Sequence, residues 1–96
     1  MQVIAERHLG YRDDAGTERM LVLQLGLPEQ DPDGTWRCAY RLGEPYDEDG
    51  AACGEDSLQA LLMALKVLGI KVQHPPAPLR GRLTWLGMPD LGLPVL

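Results

Sequence analysis

With 96 residues, 45% of them apolar and 24% charged, the chain has room for one hydrophobic core and no second domain, and its usage is neither disordered nor fibrous. The formal net charge of −5 repels phosphate backbones and sets nucleic acid aside as the main partner. Phe is absent, so the core has to be built mainly from Leu, with Val, Ile and the two Trp.

Residues 1–10 carry no basic segment followed by an apolar run, so no secretory signal is read there. From Gln2 to Tyr11 the chain alternates imperfectly, Val3, Ala5, Leu9 and Tyr11 on one face and Glu6 and His8 on the other, with Arg7 the awkward member of a half-buried strand. Asp13, Asp14, Ala15 and Gly16 are turn residues, and Leu21, Leu23, Leu25 and Leu27 then share one face, which predicts a β-hairpin. The opposite face holds Glu18, Met20, Val22 and Gln24 and is partly apolar where a solvated face would be polar.

Pro28 to Gly34 reads as a loop, and Trp36, Cys38, Tyr40 and Leu42 alternate with Arg37, Ala39 and Arg41 in the cleanest strand pattern of the chain. Gly43 to Gly54 reads as a polar, acidic loop. A helix follows: Asp56 is placed to cap, Gln59 stands three residues later, and Leu58, Leu61, Leu62, Leu65 and Leu68 form the stripe expected to lie on the sheet. Gly69 is a plausible stop, with an apolar pattern that runs on to Val72.

The longest apolar stretch, Leu58 to Ile70, is too short to span a bilayer and contains Lys66, so no membrane partner is expected and the chain reads as cytoplasmic. Pro75, Pro76 and Pro78 form a stiff connector. Leu79 to Leu86 reads as a fourth strand, and the tail from Gly87 to Leu96 is Pro-containing and apolar. The expected fold is one α+β domain over residues 1–96, a curved antiparallel sheet of three or four strands on one helix, in the order β-β-β-α-β.

Chemistry-bearing constellations are thin. Cys38, Cys53, His8 and His74 are not paired at zinc-ligand spacing, so no metal site is expected. Cys53 sits near a helix N-terminus, which favours a thiolate, but Glu55 and Asp56 oppose that effect, so no catalytic residue is assigned and no enzyme is expected. Asp47, Asp49, Gly50 and Asp56 stand at calcium-loop positions, but Pro45 occupies the place of the first acidic ligand and no helix precedes it. The glycines form no phosphate-cradling spacing, and no cofactor is expected.

Trp36-x-Cys38-x-Tyr40, then Gly54-Glu55-Asp56-Ser57-Leu58-Gln59-Ala60-Leu61-Leu62, then Leu83-Thr84-Trp85-Leu86-Gly87 resemble a family of short bacterial proteins known as a domain of unknown function. Val3-Ile4-Ala5-Glu6-Arg7 and Gly92-Leu93-Pro94 extend that resemblance over nearly the whole chain. It implies no activity and transfers no residue role.

The outer sheet face is expected to combine Met20 and Val22 with Arg37 and Arg41, and with Arg80 and Arg82 from the fourth strand, an apolar centre ringed by charge. The helix carries Ala60, Met63, Ala64 and Val67 around much of its remaining circumference, so a second layer is required over it. The expected function is a non-enzymatic interaction module whose partner is another protein or a second copy. The rival is a small-ligand binder with a pocket between sheet and helix. Asp56 is expected to be the N-cap, Cys38 to be buried and reduced, and either the tail or a second subunit to cover the helix.

Overall fold

The computed structural model describes residues 1–94, and Val95 and Leu96 of the predicted tail lie outside them. Strand β1 (Val3–Arg12) runs into strand β2 (Glu18–Gly26) through a turn organised by Asp13, whose Oδ1 accepts from the Ala15 and Thr17 amides at 3.0 and 2.9 Å. The predicted hairpin is therefore present, with Leu9 opposite Leu21 and Arg7 opposite Leu23. After Gly26 the Leu27 amide still donates to the Gln2 carbonyl at 2.8 Å, but its side chain is exposed instead of sharing the inward face of the other leucines.

Pro28 has no amide hydrogen to donate, and pairing resumes only as the two-residue strand β3 (Glu29–Gln30). Strand β4 (Trp36–Leu42) holds β2 and β3 at opposite ends of one edge. Its other edge is paired throughout with strand β5 (Glu48–Gly54). The sheet thus has five strands, all antiparallel, and the α+β class is as expected.

Two elements differ from the sequence reading. The stretch from Glu48 to Gly54 is a strand and not loop: its glycines and alanines have low strand propensity, and a long, fully paired neighbour holds them in place. Leu79 to Leu86, conversely, is not a strand. A 3-10 turn occupies Ala77–Leu79, and one bridge, Gly10 to Thr84 with amide bonds of 2.8 and 2.9 Å, ties this segment to the edge of β1. Trp85 and Met88 then close a two-residue reversal in which Leu86 and Gly87 both have positive φ, 52° and 78°. Among the described residues all strands therefore precede the helix, and the order is β-β-β-β-β-α.

Helix α1 (Ser57–Gln73) begins as predicted. The Gln59 amide donates to Asp56 Oδ1 at 2.7 Å, and Gln59 Oε1 accepts from the Glu55 amide at 2.6 Å. It passes Gly69 and stops before the prolines, His74 capping by donating to the Ile70 carbonyl.

The face it lays on the sheet is only part of the leucine stripe. Ala60, Ala64, Leu68 and Val72 are buried, whereas Leu58 and Leu62 point to solvent. The cause lies in β5, whose inward residues Ala52 and Gly54 let the helix come close: a Cβ on Gly54 would stand 2.6 Å from the Ala60 amide nitrogen, while Gly50 makes room for the Tyr40 ring. Alanines fit that gap and leucines do not. The core is then Leu9, Leu21, Leu23, Cys38 and Leu42 below, with Ala60, Ala64, Leu68 and Val72 above.

Candidate functional site

The outer sheet face is assembled from the alternation of the strands. Met20 and Val22 of β2 share it with Arg37 and Arg41 of β4, as predicted, while Arg80 and Arg82 do not join it because their segment is not a strand. Its charges are answered locally. Arg41 holds Asp49 at 2.9 Å and Asp47 at 3.4 Å, and Arg37 Nε holds Asp31 at 3.4 Å. Arg82 instead pairs with Asp14 at 2.9 Å in the first turn.

Helix α1 divides the predicted helix residues. Ala60 and Ala64 are fully buried against the sheet and belong to the core, which corrects their assignment to a contact surface. Met63 is exposed and Val67 half-buried. The outward side instead presents four large apolar side chains, Leu58 at 63% exposure, Leu62 at 52%, Ile70 at 44% and Met63 at 41%, with Lys66 among them. Spacing of 100° per residue puts all of them on one half of the helix. The predicted stripe is split: Leu68 is buried and Leu61 packs against the core, while Leu58 and Leu62 turn outward and Ala60 and Ala64 take the sheet side. The small residues of β5 are the signal that tells the two sides apart.

The flank of α1 toward β1 and β2 is covered by the chain's own tail. Leu91 is buried, Leu93 packs against the core, and Gln73 Nε2 reaches the Pro94 carbonyl at 3.4 Å. Arg7 holds this segment down: its guanidinium donates to the Leu91 and Gly92 carbonyls at 3.0 and 2.6 Å and lies 3.9 Å from the Trp85 ring centroid. Thus the tail does lie against the helix, on one flank only. Arg7, misplaced on an apolar strand face, is the trace in the sequence of this clamp.

Between sheet, helix and tail remains a cleft of about 240 Å3, lined by residues that include Ala5, Arg7, Leu25, Leu65 and Leu93. At the far end of α1, Lys71 Nζ reaches Glu48 Oε2 at 2.6 Å, a bond that raises the lysine's pKa, and the Tyr46 hydroxyl donates to the Lys71 carbonyl at 2.8 Å. Burial pushes the Tyr46 phenol up as well.

Cys38 is buried and free, its thiol donating to the Gly26 carbonyl at 3.3 Å, and burial raises its pKa. Cys53 is free and exposed on β5, opposite Arg37. Among the described residues no three His, Cys, Asp or Glu side chains converge as metal ligands, and no helix is long and apolar enough to cross a membrane.

A family model described as "Domain of unknown function (DUF6968)" matches residues 5–95. No curated protein and no solved structure matches the chain.

Proposed function

We propose that this chain, which belongs to the DUF6968 family of domains of unknown function, acts as a non-enzymatic protein-interaction module whose contact surface is the outward face of α1. The observation that carries this reading is the apolar quartet Leu58, Leu62, Met63 and Ile70, all more than two-fifths exposed on a helix whose other flank the tail already covers. Fully burying an exposed side chain of this kind is worth roughly 1.5–3 kcal/mol, and a partner that covers these four half-exposed ones gains about half of that at each. The rival ligand reading would use the cleft beneath the tail. That cleft, about 240 Å3, falls below the ~300–1,000 Å3 usual for small-molecule sites, which leaves the groove of about 450 Å3 where Cys53 and Gly54 meet Gln59 and Met63 as the larger candidate.

The test is a photo-crosslinking amino acid placed at Leu62 in cells, with exposed Thr17 in the first turn as control. Discrete protein adducts at position 62 and none at 17 are expected. Equal labelling, or none at either site, would remove the helix face from consideration.

A further inference from the structure

The two edges of the sheet are treated differently. The β1 edge carries the Thr84 bridge, whereas the outer edge of β5 has no pairing among the described residues. Natural proteins blunt such an edge with lysine, proline, a bulge or a covering segment. From Glu48 to Gly54 there is no lysine and no proline, the register with β4 runs without a break, and the charges that could blunt the edge, Glu48 and Asp49, are confined to its first two positions. Its unpaired backbone donors and acceptors are a template for another strand.

Resting on the interaction reading above, we propose that the occupant of this edge is a second copy of the chain, the two β5 strands pairing antiparallel about a two-fold axis at Ala51. Within β5 this register keeps like charges apart: Glu48 and Asp49 fall opposite Gly54 and Cys53 of the second copy, and acid faces acid, Asp47 against Glu55, only beyond the two ends of the strand. The neighbour of Cys53 on β4 is Arg37, which brings Asp49 of one copy two strand spacings, about 10 Å, from Arg37 of the other, across the short Cys53 side chain. Asp49 is three-quarters exposed and Arg37 half exposed, its Nε alone engaged by Asp31, so both have capacity for a further ion pair. Each interface then contains two Arg37 to Asp49 pairs, related by the axis.

The helix gives an independent reason. It lies over β4 and β5 with the tail on its β1 side, so Met63, Val67 and Ile70 line the flank nearest the open edge. Edge pairing sets the same flank of the second helix against it, above a continuous sheet. One symmetry operation thus satisfies the open edge and covers apolar surface that the tail does not reach.

Ala51→Cys in a Cys53→Ser background reads the register directly, because residues facing each other across an antiparallel pair have Cα atoms about 4.5–5.5 Å apart, within disulfide range. Mild oxidation should give an interchain disulfide in that variant and none in the parent, whose Cys53 residues lie far from each other. Light scattering should give a dimer for the parent and a monomer for Ala51→Lys, with far-UV circular dichroism unchanged. A parent that remains monomeric as concentration rises overturns the proposal. So does a dimer that survives Ala51→Lys and forms no disulfide in the Ala51→Cys variant, since it must use another face. Adducts at position 62 in either event would leave the interaction reading standing.

Discussion

The two flanks of α1 are closed by opposite means. Toward β1 the chain brings its own cover, with Arg7 clamping Leu91 and Gly92 and Thr84 bridging the strand edge. Toward β5 no described segment serves as cover, and the strand is thinned at Ala52 and Gly54 so that the helix can sit low. Covering a flank with chain takes a whole connector and tail. Leaving a flank open keeps an edge and an apolar strip available to another molecule. The first solution gives stability and the second gives a surface.

Substitutions sharpen that contrast, beginning with the largest effect. Gly54→Ala should cost about 3 kcal/mol in chemical denaturation, because the new methyl meets helix backbone and not a yielding side chain. Unchanged stability would mean that the helix rides higher over β5 than described. On the tail side, Leu91→Ala should cost about 2 kcal/mol, at the low end for a buried leucine because Leu91 lies at the margin of the core. Leu62→Ala, an equal loss of side chain on the outward face, should cost within about 0.5 kcal/mol. If the two leucines cost the same, the tail is not docked as the clamp implies.

Arg7→Gln should cost about 1.5 kcal/mol through the lost charge-assisted bonds and ring contact. It should also speed amide exchange in residues 91–93 more than in β5. Uniform acceleration would show that Arg7 supports the whole sheet and not the tail.

The smallest effect concerns pH. The bond to Glu48 raises the Lys71 pKa in the folded state, so the stabilisation is complete below the ordinary lysine value of about 10.4 and is lost as pH climbs through the raised value. Lys71→Met should remove that alkaline dependence from the melting temperature. The effect is small because the pair is partly exposed.

What could be read in advance followed from local chemistry. The β1–β2 turn, the alternation of β4, the Asp56 cap and the burial of Cys38 each depend on residues within a few positions of one another. The failures came where a distant element decided the outcome. Glu48 to Gly54 has no strand propensity of its own and is extended because β4 pairs with it throughout. Leu79 to Leu86 has an alternating pattern, yet three prolines and the positive-φ residues Gly81, Leu86 and Gly87 bend it into turns. Leu58 and Leu62 of the predicted stripe turned outward, and Ala60 and Ala64 inward, because periodicity measures amphipathicity and is silent about how close the opposite surface allows the helix to come. Of the candidate contact residues, Met20, Val22, Arg37 and Arg41 do share a sheet face, and Met63 and Val67 lie at the helix flank. Ala60 and Ala64 do not, for that same reason.

The Arg7 clamp also sets an order of events during synthesis. Its carbonyl acceptors lie 84 and 85 residues further along the chain, among the longest-range contacts the molecule makes. Loop closure over that distance is entropically unfavourable but grows only slowly with length, and most of the cost disappears once the sheet and helix between have formed. Leu91 and Gly92 leave the ribosome after every strand and the helix, so the β1 flank of α1 is bare while the rest of the domain condenses. A chain truncated before residue 91 therefore presents two open flanks.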